Sequence, residues 1–193
     1  MSFAPLPATA AWLHRGARSG FEVVYFRPGG DGSQIEGWTA AVEDGTTWVV
    51  EYAIEVDAAG ATRSARIRGR SADGFRSARL EADGAGHWLV NGDPAPALDG
   101  CLDVDLEASA MTNALPVRRI GLPVAARATA PAAYVRAVGL AVERLEQTYE
   151  RAADEASWQR YDYAAPAFDF SARLVYDHAG LVLDYPGIAV RAA

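Results

Sequence analysis

The chain has 193 residues, with 25 acidic and 18 basic side chains, a formal net charge of −7 and a single cysteine, Cys101. That length suits one domain over residues 1–193, able to bury roughly 70% of its unfolded surface without a disulfide or metal staple. The acidic balance argues against nucleic acid, which needs a basic footprint, while five Trp and eight Tyr argue against a disordered chain.

The opening stretch, MSFAPLPATAAWLHRG, lacks a basic n-region and is broken by two prolines, so no secretion signal is expected. No window approaches the length of apolar residues that a membrane-spanning helix needs. A cytoplasmic address is the expectation. The glycine cluster Arg27–Ser33 (RPGGDGS) reads as a loop, and it lacks the Lys-Ser/Thr of a phosphate loop. Asp-Gly then recurs at Asp31–Gly32, Asp44–Gly45, Asp73–Gly74, Asp83–Gly84 and Asp99–Gly100, joined by Asn91–Gly92. These pairs tolerate the positive φ of tight hairpin turns. With short alternating segments between them, they predict an antiparallel meander.

Gln34–Glu43 is the first predicted strand. Thr46–Val56 is the clearest: Trp48, Val50, Tyr52, Ile54 and Val56 share one face, and Thr47, Glu51 and Glu55 the other. In the next strand Arg66, Arg68 and Arg70 alternate with Ala65, Ile67 and Gly69. Keeping the apolar faces together sets these arginines beside Glu51 and Glu55, either as a solvated charge ladder or as an anion site. Phe75–Ala82 and His87–Val90 are further strands, and Asp93–Ala97 is a loop.

The stretch Asp99–Ile120, DGCLDVDLEASAMTNALPVRRI, concentrates the polar groups. On a strand, Asp103, Asp105 and Glu107 line one face, with Leu102, Val104 and Leu106 on the other. Paired carboxylates can share a proton or hold a divalent cation, and they equally make an ordinary polar strand face. PVRRIGLPV reads as a second strand, with Thr112–Asn113 serving the turn between the two. At least one of Arg118 and Arg119 then lies against apolar surface and needs a carboxylate. The expectation is that Arg118 or Arg119 meets Asp103 or Asp105 across neighbouring strands. Cys101 reads as buried and inert.

Pro131–Arg160 is ambiguous. Ala141, Leu145 and Tyr149 fall at helical spacing, which favours a helix over Ala141–Ala156, but strand alternation fits too. At the C-terminal end Phe168, Phe170, Ala172, Leu174 and Tyr176 alternate. The turn at Asp177–Gly180 follows, then Leu181, Leu183 and Tyr185, and Pro186–Gly187 ends or bends the return strand. His14, His87 and His178 are scattered, and no nucleophile, zinc or nucleotide motif appears. Trp12, Trp38, Trp48, Trp88 and Trp158 suit either a core or an apolar cavity wall.

GCLDVDLEASAMTNALPVRRIGLPV resembles the central signature of a bacterial family described as "putative glycolipid-binding". Supporting matches are Trp12 shortly before a strand, GHWLVNG at Gly86–Gly92, the pair Gln147-x-Tyr149, and AGLVLDYPGI at Ala179–Ile188. The resemblance covers nearly the whole chain in order. It implies a mainly β fold similar to the lipoprotein carriers of the Gram-negative envelope. That fold is a strongly curved antiparallel sheet forming a half-open barrel, with few short helices. It places Gln147 and Tyr149 on a strand, so that Val138–Tyr149 reads as strand, with Glu150–Gln159 as a longer, more helical insertion. It brings no catalytic residue, cofactor or metal.

The expected function is non-enzymatic binding of a glycolipid, acyl chain or other amphiphile on the concave face. The expected contacts are Trp38, Trp48, Trp88, Asp103, Asp105, Thr112, Asn113, Arg118, Arg119, Tyr149 and Tyr185. Two alternatives stay open: a hydrolase or transferase using Asp103 and Asp105, and a protein-interaction module.

Overall fold

Seventeen strands, three 3₁₀ turns and one α-helix occur among residues 3–193, the part that the structure, a computed structural model, describes. The first half is a run of antiparallel neighbours: β1 (Thr9–His14), β2 (Ser19–Gly29), β3 (Gly32–Glu43), β4 (Thr46–Val56), β5 (Thr62–Ser71), β6 (Gly74–Ala82), β7 (Trp88–Val90) and β8 (Asp93–Pro94). Asp44 and Gly45 (φ 47° and 76°) close β3–β4, and Asn91 and Gly92 (φ 54° and 92°) close β7–β8. Positive φ at both central residues is what a two-residue hairpin turn demands.

The chain then leaves this sheet. β9 (Asp103–Leu106) leads into a 3₁₀ turn (Met111–Asn113), α1 (Ala114–Ile120), β10 (Arg127–Thr129), β11 (Ala132–Val135) and β12 (Val142–Leu145). β12, β11 and β9 form a three-stranded sheet, in which β11 runs antiparallel to β12 and parallel to β9. The chain returns through β13 (Thr148–Glu155), β14 (Trp158–Ala165), β15 (Phe170–Tyr176), β16 (Val182–Tyr185) and β17 (Ala189–Arg191). The large sheet has fourteen strands in the order β10-β13-β14-β15-β16-β17-β1-β2-β3-β4-β5-β6-β7-β8.

Several expectations are corrected. PVRRIGLPV is not a strand. Pro116 lies in the first turn of α1, where a missing N–H costs nothing. Gly121 ends the helix with φ 59°, its N–H donating to the Val117 carbonyl. Thr112–Asn113 therefore belong to a 3₁₀ turn, not to a strand-to-strand turn. The β9–β11 pair is parallel, as a crossover through α1 permits, so the meander is not wholly antiparallel. Neither a helix over Ala141–Ala156 nor one continuous strand over Val138–Tyr149 forms. Leu140 turns with φ 53°, β12 is short, and β13 begins at Thr148. Glu150–Gln159 is a hairpin and not helical: Glu155 faces Trp158 across Ala156–Ser157, with Ala156 at φ 54°. Trp12 lies within β1 and not before it. Arg27–Ser33 is a hairpin end and not a loop, because Pro28 still pairs with Ser33.

The core follows the alternation. Trp48, Val50, Tyr52 and Ile54 of β4 are buried, while Thr47 and Glu51 are exposed. Fully burying a side chain of this size contributes about 1.5–3 kcal/mol. One apolar cluster joins the buried face of β1–β6 to Val104, Leu106, Met111 and Leu115. A second joins Val117, Tyr134 and Leu145 to Tyr149, Tyr161, Tyr163, Tyr176 and Tyr185. The inserted segment thus packs against both halves of the large sheet.

Candidate functional site

β9 is buried along its whole length, so its acids are not a solvated polar face. Each acid ties β9 to a different element. Asp103 accepts from Arg119 Nε (3.1 Å) and Nη2 (2.5 Å), a two-pronged ion pair between β9 and α1. The expected Arg–Asp pairing exists, but it runs from helix to strand and not between strands. Asp105 accepts from Thr112 Oγ1 (2.8 Å) and Gln147 Nε2 (2.5 Å). Glu107 accepts from the Ala137 N–H (2.7 Å) and lies 3.5 Å from Arg136. Burial pushes the Asp103 carboxyl up while Arg119 pulls it down, with a net rise. Burial lifts Asp105 to about 6, against the bonds from Thr112 and Gln147.

A third buried acid anchors the same segment from the opposite side. Glu22 on β2 is fully buried. Its carboxyl takes hydrogen bonds from Tyr52 OH (2.7 Å), Ser109 Oγ and the Ala110 N–H (2.8 Å). Burial raises its pKa despite these bonds. Thr39 Oγ1 donates to the Ala108 carbonyl at 2.7 Å. Asn113 closes the other end: its Oδ1 accepts from Tyr149 OH (3.0 Å) and its carbonyl from Tyr176 OH (3.3 Å).

Between the inserted segment and β14–β16 lies a pocket of about 260 Å³. Tyr134, Tyr163, Phe168, Phe170 and Tyr185 supply aromatic walls, and Asp105, Ser109 and Asn113 supply polar groups. Tyr163, Phe170 and Tyr185 form a set with centroids 5.9–6.2 Å apart, edge-on in both pairs with Tyr185 and tilted between Tyr163 and Phe170. Arg18, Glu43, Glu107 and Arg136 complete the lining. Arg18 is buried, donates to the Glu107 carbonyl (2.5 Å) and sits 3.3 Å from Glu43, yet its Nε has no partner. Arg136 stacks over both Tyr134 and Phe168, at 5.2 and 5.1 Å. Flat aromatic faces combined with convergent polar groups are the chemistry of a site for a ligand with apolar and hydroxylated parts.

A second pocket, about 320 Å³, lies on another side of α1, with Leu6, Phe26, Ile35, Met111 and Leu115 beside Arg118 and Arg119. Both arginines are already engaged: Arg119 by Asp103, and Arg118 by the Ala4 and Ala179 carbonyls and the Phe3 ring.

Of the residues singled out in the sequence, Asp105, Asn113 and Tyr185 line the tyrosine-rich pocket, with Thr112 bonded to Asp105 behind it. Asp103, Arg118 and Arg119 lie on the side facing the second pocket or in the ion pair beneath it. Trp48, Trp88 and Tyr149 are buried in the core, and Trp38 is exposed on the opposite face of the sheet. Sequence reasoning missed Arg18, Tyr134, Tyr163, Phe168 and Phe170 as walls of one pocket, and Glu22 as the acid that holds Ser109 and Ala110 in place. For Glu22 the pattern was mute: in FEVVYF both alternating faces carry apolar residues, so nothing marks the acid as the inward one.

Among curated proteins none matches this chain. A DUF1089 family protein of Pseudomonas aeruginosa, known from a crystal structure, is 33% identical, with a TM-score of 0.73 over 97% of this chain and 95% of that one. A beta-barrel-like protein of the domain of unknown function DUF1849, from Brucella abortus, shares the fold at a TM-score of 0.54 and 11% identity, over 99% of this chain and 95% of that one. The family model described as "Putative glycolipid-binding" matches residues 9–191. With that match spanning all seventeen strands, from Thr9 to Arg191, the chain belongs to this family.

Proposed function

We propose that the chain is a non-enzymatic binding protein for a glycolipid or similar amphiphile, whose hydroxylated head group sits in the tyrosine-rich pocket. The observation that carries this reading is the lining itself. Five aromatic rings offer faces for the apolar side of a sugar ring, while Asp105, Asn113 and the unpartnered Nε of Arg18 offer hydrogen bonds to hydroxyls. The apolar tail leaves past Phe168, which is exposed at the rim.

On this reading the large sheet bends round the inserted segment as a half-open barrel, and the pocket lies on its concave side. Two contacts support the bend. Tyr52 of β4 and Tyr149 of β13 both bond within Ser109–Asn113, although their strands would stand roughly 38 Å apart in a flat sheet at the usual spacing.

Native mass spectrometry of the purified protein, with lipid extraction, tests the reading first. Titration with an octyl glucoside should show saturable binding, and a polyoxyethylene detergent of the same chain length should bind more weakly. Phe168→Ala should weaken the glucoside about tenfold, near 1.4 kcal/mol, with an unchanged melting temperature. A protein that is reproducibly empty and takes up no alkyl glycoside overturns the proposal.

A further inference from the structure

The opposite face of β1–β6 carries a pattern that the pocket does not use. Strand registers place Leu13, Phe21, Ala40, Val49, Arg70 and Phe75 in one row across six strands. Phe21 and Val49 are exposed, and Phe75 is 75% exposed. Trp38 adds another exposed ring one row away, edge-on to Tyr25 at 5.9 Å. A shallow groove of about 580 Å³ runs between Trp38, Val49 and Phe75. Contiguous exposed apolar surface of this kind marks an interaction face.

The charge beside it is equally uneven. From Thr62 to Ala82 the β5–β6 hairpin holds six arginines against Asp73 and Glu81, a local balance of +4 in a chain of net −7. Arg63 and Arg79 have carboxylate partners, Asp57 and Glu81. Among the described residues, Arg66, Arg68 and Arg70, which share the face of Phe75, have none, while Arg76 alternates with Ala78 and Leu80 on the other face. Arg70 lies over the Phe75 ring at 4.5 Å, which puts a cation and the most exposed apolar ring of this face together beside the hairpin tip. The acids of the same face are Glu36, Glu51, Glu55 and Glu81, of which Glu55 accepts from Ser64 and Glu81 takes Arg79.

We propose that this face docks on an anionic lipid bilayer, with Phe75 entering the headgroup layer and the unpaired arginines meeting the acidic headgroups. Apolar and aromatic side chains beside a cationic cluster are the composition that interfacial binding uses. The net negative charge is no obstacle, because screening within roughly 8–10 Å lets the bilayer feel the nearest face and not the whole chain. A second copy fits less well: a two-fold axis near Phe75 would set the arginine row against itself. The proposal goes beyond the pocket reading and does not depend on it.

Flotation with phosphatidylcholine vesicles, with and without phosphatidylglycerol, tests it. The protein should float with the anionic vesicles only and be released by salt. Phe75→Ser, and separately the double variant Arg68→Glu/Arg70→Glu, should each cut vesicle binding about tenfold, with melting temperature and octyl glucoside binding unchanged. The proposal is overturned by absence from anionic vesicles, by flotation indifferent to these substitutions, or by a dimer in sedimentation equilibrium that Phe75→Ser dissociates. Loss of glucoside binding with vesicle binding intact would remove the pocket reading and leave this one standing.

Discussion

Asp103 and Asp105 stand two residues apart on one buried strand, and burial raises both carboxyls, but only Asp103 has a charged partner. Asp103 neutralises a cation, so Asp103→Asn leaves the Arg119 guanidinium without its counter-charge and should cost about 3 kcal/mol in urea unfolding at pH 7. Asp105 is bonded only by the neutral groups of Thr112 and Gln147, and burial lifts it to about 6. Between its unfolded value near 4 and about 6, the folded state holds the proton more tightly. Stability from this group is therefore lost as pH rises through that window, by about 3 kcal/mol. His14 acts in the other sense. Burial, helped by Arg18, holds it at about 4, so its contribution is lost as pH falls below its unfolded value of 6.5. In the wild type the two slopes oppose each other. Asp105→Asn should remove one of them while the raised Asp103 and Glu22 stay, so that stability gains on wild type as pH rises from 4 to 6 and is no lower than wild type at pH 7. Unfolding free energies measured across that range would show it. A variant that is strongly destabilised at pH 7 would mean that Asp105 holds the fold through its charge.

At the scale of strands and turns, what the sequence disclosed depended on pattern length. Thr46–Val56 alternates over eleven residues and closes on Asp44–Gly45, so strand and turn were both legible. In PVRRIGLPV the alternation runs over only a few residues. Pro116 in a first helical turn and left-handed Gly121 were the better signals, and they favour α1. The pairing of Asp103 with an arginine was legible from burial logic, because it needs only an apolar environment and not the correct element. The Glu22–Tyr52–Ser109 network was not, since it joins residues far apart in sequence through side chains that look ordinary in their own strands. Its geometry rests on Gly37, which faces Tyr52 in the β3–β4 register. A Cβ there would stand 2.6 Å from Tyr52 Cε1 and closer still to the ring's hydroxyl end. Gly37→Ala should therefore displace the phenol from Glu22 and destabilise by about 2–3 kcal/mol. Gly45→Ala, with open space but φ 76°, should cost only about 1 kcal/mol. Equal losses at the two sites in thermal melts would contradict the role given to Tyr52.

Over the whole molecule, β17 holds the large sheet together. Strands β1–β8 lie on one side of it, and β10 with β13–β16 on the other. β17 meets β1 through Trp12↔Arg191 to His14↔Ala189, and it meets β16 through Asp184↔Val190 and Tyr185↔Ala189. Two side-chain contacts reinforce the seam: Trp12 Nε1 donates to the Val182 carbonyl at 2.8 Å, and the Arg191 guanidinium lies 4.8 Å from the Trp12 ring. The tyrosine-rich pocket depends on this seam, because Tyr163 and Tyr185 come from one side of it while Arg18 and Glu43 come from the other. Removing residues 189–193 should therefore do more than fray an end. It leaves β1 and β16 with unpaired inner edges, whose amides should lose protection from hydrogen exchange together. The melting temperature should fall by about 6–12 °C for a loss near 3 kcal/mol, and octyl glucoside binding should be lost with it. Shortening the free edge at β8, which borders only β7, should leave both readouts nearly unchanged. If the two truncations behave alike, the sheet is held by its packing on the inserted segment and not by the β1–β17 seam.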